Sequence, residues 1–455
     1  MGQKRENQAL LETIQNLLAE KKLTEALRLI VGQHPADVAE ILSALNEESQ
    51  ALLFRSFDEE LAGFVLSESD PGSQAVLLAF LGSAKAASVL REMAADDLVD
   101  LLGELPVGSA ERLLKLLPPE DAGRVRQLLG YGEDTAGGIM TTELVSIRAG
   151  LTVGEAIAEL REKAPGAETI YYVYVVDDED RLVGVVSLRE LIIAREDQLI
   201  SEIMRSNVVS VYIGEDQEEV ARIVSKYNFL AVPVVDYKNR LRGIITFDDI
   251  MDVIEEEATE DFYRLAGTWE TEESAGRPRV LRSLKTRLPW LLVTLVGGII
   301  SGRVIRSYSD TLNSVLALAY FMPLIAGMGG NVGTQSSTIV VRGIATGDIT
   351  PVQAVRYVLS EAQVGLLVGL ICGALVGLVA YLWQGLAVLG LIVGVAMMAN
   401  MLTAATIGAL VPLVFRRLGI DPAVASAPFI STGIDITGLS IYFGLTALLL
   451  SKLVI

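Results

Sequence analysis

One cysteine and one histidine in 455 residues exclude much chemistry at once. Cys372, alone in a hydrophobic segment, can form neither a disulfide framework nor a thiolate metal cluster. His34 alone supplies no zinc site, no transition-metal site and no histidine relay, so an enzyme of those kinds is not expected. The opening MGQKRENQALLETIQ has no apolar core of the kind a signal peptide needs, so no cleaved leader is expected. Charge is also scarce, but only in the second part of the chain. From Lys285 onward there are nine basic and five acidic residues, whereas the preceding part holds 28 basic and 52 acidic ones. Such asymmetry marks an acidic soluble module joined to a membrane module. The acidic module repels nucleic acid and anionic lipid surfaces, and its natural counter-ions are cations.

What is present falls into four stretches. Up to about residue 131, phrases such as HPADVAEILSAL and SAERLLKLLPPEDAGRVRQLL carry apolar residues at three- and four-residue spacing, with Asp, Ser or Pro at several starts. They predict short helix pairs stacked into a superhelix. From 132 to 258 the period changes to strands alternating with the helices TVGEAIAELREKA and DQEEVARIVSKYN. This stretch repeats after about 60 residues: Met140 recurs as Met204, and Val175-Val176-Asp177 as Val234-Val235-Asp236. Two tandem modules of this kind resemble a CBS-domain pair, a sensor of adenine nucleotides or metal ions. The acidic run DDIMDVIEEEATEDFYRLAGTWETEE follows, read as a helix that connects to the membrane part over 259–284. Its carboxylates recur at helical spacing, which a solvated face or bridging cations would each accommodate.

Five hydrophobic segments, about 288–305, 313–341, 359–383, 385–415 and 424–453, are each long enough to span a bilayer and make 285–455 a membrane domain. Arg342, Arg356, Arg416 and Arg417 lie in loops after the second and fourth segments, which places those loops and the N-terminal module in the cytoplasm. Asp435 sits alone in the last segment, VASAPFISTGIDITGLSIYFGLTALLL. A carboxylate at that depth costs roughly 2.5 to 3.5 kcal/mol, so it faces water, binds a cation, or is protonated between helices. The second segment carries PLIAGMGGNVGTQSSTIVVRGIATGDI, where Asn331, Thr334, Gln335, Ser336 and Ser337 bring neutral oxygens to membrane depth. Oxygen donors without His or Cys suit a hard divalent cation such as Mg2+. The alternative, a close helix contact cemented by polar side chains, accounts well for the glycines but not for the cluster of carboxamides and hydroxyls.

Motifs, span count and domain order together resemble the MgtE family of magnesium channels and transporters over nearly the whole chain, most specifically in GGNVGTQSSTIVVRGIATGDI and PFISTGIDITG. The resemblance implies a multidomain membrane protein: an all-α superhelical N-terminal domain, an α/β tandem CBS pair, a long connecting helix and a five-helix membrane domain. It implies a homodimer in a lipid bilayer, a pore lined by the second and fifth spans, and a connecting helix that plugs it when intracellular Mg2+ bridges acidic faces. By position it assigns Asp435 as the pore carboxylate, with Asn331 and the carbonyl near Ser431 as further contacts. In the sensor it points to Asp96, Asp97 and Asp100, to Asp216, Glu218 and Asp249, to Asp252, Glu257, Glu260 and Asp261, and to Asp421 facing the plug. The CBS cleft would take ATP through Tyr172 and Arg189. Two positions depart from the pattern: Ala427 stands where some relatives have Asn, and Asn228 where a relative can have Asp. An alternative reading is a proton-coupled divalent cation transporter with Asp435 as the protonation site.

Overall fold

The computed structural model describes residues 2–103, 105–268, 279–349, 352–424 and 427–449. The part of the connecting stretch at 269–278 and the end of the last span beyond 449 lie outside them. The chain forms two compact units, divided between Glu255 and Glu256.

The first unit begins with ten described helices between Gly2 and Leu128. Their starts follow the expected capping chemistry. Asn46, Asp58 and Asp70 each accept a backbone N–H from three residues on, at 2.9, 2.9 and 3.0 Å. His34 caps in the same way, its Nδ1 accepting the Ala36 N–H at the head of the helix Pro35–Ser43. The lone histidine is therefore accounted for by helix capping. Leu42, Leu53, Phe54, Leu66, Leu90 and Leu101 fill the core between these helices.

The repeated stretch builds two three-stranded sheets of one design. In the first, β1 (Ser146–Arg148) pairs parallel with β2 (Tyr172–Val176), which pairs antiparallel with β3 (Leu182–Ser187). In the second, β4 (Val211–Tyr212), β5 (Ala231–Val235) and β6 (Leu241–Thr246) repeat that order. The duplication extends to an irregularity, since the register shifts at Val175/Val176 and again at Val234/Val235. The two modules are also exchanged at their edges. Thr141, beside Met140, exchanges backbone hydrogen bonds of 2.8 and 3.0 Å with Ile244 of the second sheet, while Arg205, beside Met204, does so with Val185 of the first at 2.9 and 3.1 Å. Each methionine lies over a glycine of the other module: a Cβ on Gly243 would meet Met140, and one on Gly184 would meet Met204. The sequence repeat is thus a reciprocal closure.

A helix from Phe247 to Leu265 contributes to both units, so the connecting segment expected from residue 259 continues a helix that begins at Phe247. The second unit then holds the five apolar helices, Arg279–Ser307, Met322–Ala345, Ala354–Gln384, Ala387–Arg417 and Ala427–Leu449. Lipid tails give apolar helices no hydrophobic reason to associate, so backbone proximity and buried polar bonds must do it. The third and fourth spans approach through Gly365, Gly369, Gly373 and Gly377. A Cβ on Gly373 would lie 2.5 Å from the Gly394 carbonyl oxygen. Gly373→Val should therefore force the pair apart and destabilise the membrane unit by about 1–3 kcal/mol, measurable as a lowered thermal midpoint of the detergent-solubilised protein.

Candidate ion pathway and cation-sensing sites

Asp435 lies midway along the fifth span, half-buried, and makes no hydrogen bond or ion pair with any described residue. The fifth span packs on the second beside the oxygen-rich motif. Gly330 faces Ser431, where an added Cβ would lie 3.3 Å from the Ser431 Cβ, and Asn331 is the next residue. The five neutral oxygens do not converge, however. Asn331 and Gln335, one turn apart, are exposed on the helix surface, whereas Ser336 and Ser337 are buried. Ser336 donates its hydroxyl to Glu361 of the third span at 2.6 Å. Helical geometry therefore divides the motif. One face offers carboxamides, and the other fastens the helix to its neighbours. Among the described residues no three of His, Cys, Asp and Glu are placed to enclose an ion. A single carboxylate without converging protein ligands suits a cation that keeps its water shell.

In the first unit a group of carboxylates gathers around one buried member, Asp96, with Asp97, Glu143 and Asp249 half-buried and Glu168 and Asp252 exposed at its edge. Asp96, on the helix Ala95–Gly103, is buried, and its Oδ1 has no partner among the described residues. Burial, then the charges of Asp249, Glu168 and Asp97, push its carboxyl up to about 9. Glu168 rises to about 7 through burial and the charges of Asp249, Glu143, Asp97 and Asp248. Asp249 rises to about 6, chiefly by burial; the hydroxyl and N–H of Thr246, both donated to it, partly offset that rise. Asp97 and Asp252 are also raised, with burial the largest cause in each. Asp96, Asp97 and Asp249, each expected from sequence to serve the sensor, thus come together. Glu143 and Glu168 carry no such sequence signal; they arrive from the strand-rich modules, and Glu143 alone has a nearby base, Arg124. Asp100 of the same helix is exposed.

The remaining expected ligands are dispersed. Asp216 caps the helix Gln217–Tyr227 through the Glu218 N–H at 2.9 Å, and Glu218 pairs with Arg222 at 3.2 Å. Asn228 ends that helix in the left-handed conformation, φ 54°, a position suited to Asn or Gly. In the second unit Glu257, Glu260 and Asp261 lie along the connecting helix. Arg264, one turn after Glu260, pairs with both Glu260 and Asp421. Asp421 also accepts the Ala423 N–H at 2.8 Å. The position expected to face the plug is therefore already met by a guanidinium.

The two CBS sheets enclose a cavity of about 310 Å³ walled by Tyr172, Tyr174, Glu190, Arg205, Asn207 and Phe229, among others. The Tyr174 hydroxyl, buried and without a hydrogen-bond partner among the described residues, borders it. Of the two residues expected here, Tyr172 lines the cavity; Arg189 is exposed and does not, and Arg205 is the base in the wall.

Comparison with known proteins agrees with this layout. Residues 322–445 match the family model described as a divalent cation transporter, MgtE, residues 33–134 the MgtE intracellular N domain, and residues 136–197 and 200–256 the CBS domain. The magnesium transporter MgtE of Enterococcus faecalis is 41% identical over 451 residues, covering 98% of each chain. That of Thermus thermophilus is 38% identical over 431 residues, covering 94% of this chain and 96% of the relative. A solved structure of the cytosolic domain of the Mg2+ channel MgtE in complex with ATP is 40% identical with a TM-score of 0.52, covering 53% of this chain and 99% of that one. Matched over nearly its full length by these relatives, and with five membrane-length helices behind its soluble domains, the chain belongs to the MgtE family of divalent cation transporters.

Proposed function

We propose that the protein carries Mg2+ across a membrane into the cytoplasm, and that the same ion, held by carboxylates of the cytosolic part, shuts the pathway. Full-length relatives named as magnesium transporters support the cargo. The observation that carries the pathway is Asp435: a half-buried carboxylate at mid-span, without a protein partner among the described residues, on a helix packed against the one bearing Asn331. Two copies about a two-fold axis would face paired carboxylates across one pore. Such a pair attracts a divalent ion strongly and, with the Asn331 amide and the carbonyl near Ser431, binds it through its waters. Mg2+ gives up hydration reluctantly, so a site that demands no dehydration suits it.

Closure follows from charge. Asp96, Asp97, Glu168 and Asp249 repel one another when ionised, and burial adds to the cost. A divalent ion held through its water shell beside the orphaned Asp96 Oδ1 would replace the retained protons and hold the cluster together. Glu257, Glu260, Asp261 and Asp421 offer a second acidic group around the connecting helix. Moving a gate from 1:99 to 99:1 needs about 5.5 kcal/mol of differential binding, or roughly 1 kcal/mol at each of several sites. Weak sites suffice. In the CBS cavity the same reading places an adenine nucleotide: the aromatic walls of Tyr172 and Phe229 take the base, Tyr174 and Asn207 supply hydrogen bonds, and Arg205 supplies positive charge. A relative crystallised with ATP supports that ligand.

Asp435→Asn should abolish Mg2+ uptake, read as failure to restore growth of a Mg2+-uptake-deficient cell at low Mg2+. In liposomes, flux should proceed at fixed pH without proton counter-flow; obligatory counter-flow would favour coupled exchange at Asp435. Replacing Glu257, Glu260 and Asp261 by their amides should leave currents open at high internal Mg2+, and unchanged inhibition would remove them from the gate. The raised carboxylates also fix a sign. Their folded-state values lie above the unfolded ones, so proton binding favours the folded, Mg2+-free cluster most at low pH, and that contribution is lost as pH rises through about 6 to 9. Mg2+ must displace those protons. Its affinity should therefore increase between pH 6 and 8 with net proton release, detectable by calorimetry in buffers of different ionisation enthalpy.

A further inference from the structure

The fourth span brings one polar side chain to the place where it meets both helices of the proposed pathway. Asn400 is fully buried. Its Nδ2 donates to the Ile325 carbonyl of the second span at 2.7 Å. Two glycines make the room for it. A Cβ on Gly329 of the second span would lie 2.4 Å from Nδ2, and a Cβ on Gly438 of the fifth span would lie 2.4 Å from Oδ1. Oδ1 itself has no hydrogen-bond partner among the described residues.

An unpaired carbonyl oxygen inside an apolar bundle is unfavourable, and a leucine or alanine would avoid it. What the amide provides instead is a defined width between two backbones. Gly438 lies three residues beyond Asp435, one turn along the same helix, and Gly329 lies two residues before Asn331. We propose that Asn400 is a positioning residue for ion passage: a spacer, fixed to the second span by its hydrogen bond, that sets how far apart the helices bearing Asn331 and Asp435 stand. A larger residue is refused by the two glycines. A smaller one lets the helices close and shifts both oxygen donors relative to the ion's water shell, whose geometry tolerates little displacement.

This inference rests on the pore reading of Asp435, so its test separates the two. The full-length protein is reconstituted in liposomes, and Mg2+ flux per folded molecule, the Mg2+ to Ca2+ flux ratio and the thermal midpoint are measured together. Tyr442→Phe is the control, because Tyr442, seven residues beyond Asp435, also donates from a buried side chain to a backbone carbonyl, that of Leu318 at 3.0 Å. Asn400→Ala and Gly438→Ala are each expected to cut Mg2+ flux about tenfold or more and to lower the flux ratio, while Tyr442→Phe keeps both at a similar thermal cost. The double variant Asn400→Ala with Gly438→Ala should recover a large part of the flux, because the new methyl occupies space the amide left. Flux and ratio in Asn400→Ala equal to those of Tyr442→Phe, or strictly additive losses in the double variant, would overturn the spacer. If Asn400→Ala does not assemble, Gly438→Ala decides alone: unchanged flux and ratio overturn the proposal, and reduced values support it. Asp435→Asn that still conducts would instead defeat the pore reading itself.

Discussion

Carboxylates that face one another without fixed counter-ions are the constraint on which the cytosolic unit depends. Asp96 is buried on a helix whose Leu98, Leu101 and Leu102 belong to the core, so its position relative to Asp249 and Glu168 is set by that packing. The hydrophobic packing that holds the helix in place also holds the charges together. Neutrality must then come from outside, as protons or, in the proposed sensor, as cations. Arg124, beside Glu143, is too limited a base to change that balance.

The membrane unit meets the opposite difficulty. Apolar side chains provide no net drive for helix association in lipid, so the helices are joined by glycine contacts and a few buried polar bonds. The second span shows how one segment serves both needs. Its turns place Ser336 and Ser337 inward for attachment and leave Asn331 and Gln335 on the surface. A motif that looks uniform in one dimension is two faces wound on one helix.

Features set by local period or by duplication can be read directly from the chain. The five apolar segments, the 60-residue repeat and the isolated Asp435 all announce themselves within a short window, and the observed helices and paired sheets follow them. Contacts between distant segments leave no such signal. Glu168 looks like any surface glutamate in GAETIYYV until the fold sets it beside Asp249. Arg205 follows Met204 with nothing to mark it, and it enters the CBS cavity because that segment crosses to the other module's sheet. Asn400 sits in AMMANMLTAAT as a lone amide, and its significance comes from two glycines about 70 and 40 residues away. The connecting helix begins earlier than expected for a simpler reason. Thr246 and Asp249 begin it within the strand-rich module, ahead of the domain boundary that the change of period suggests.

Arg264 has a consequence of a different kind. A guanidinium stays charged throughout the physiological range and, being covalently attached, cannot be diluted. Its pairing with Asp421 and Glu260 is thus present whatever the ion content of the cytoplasm. In the proposed gate such a contact acts as an offset: it contributes the same amount to holding the end of the connecting helix at every ion concentration, and so would move the threshold without changing the slope.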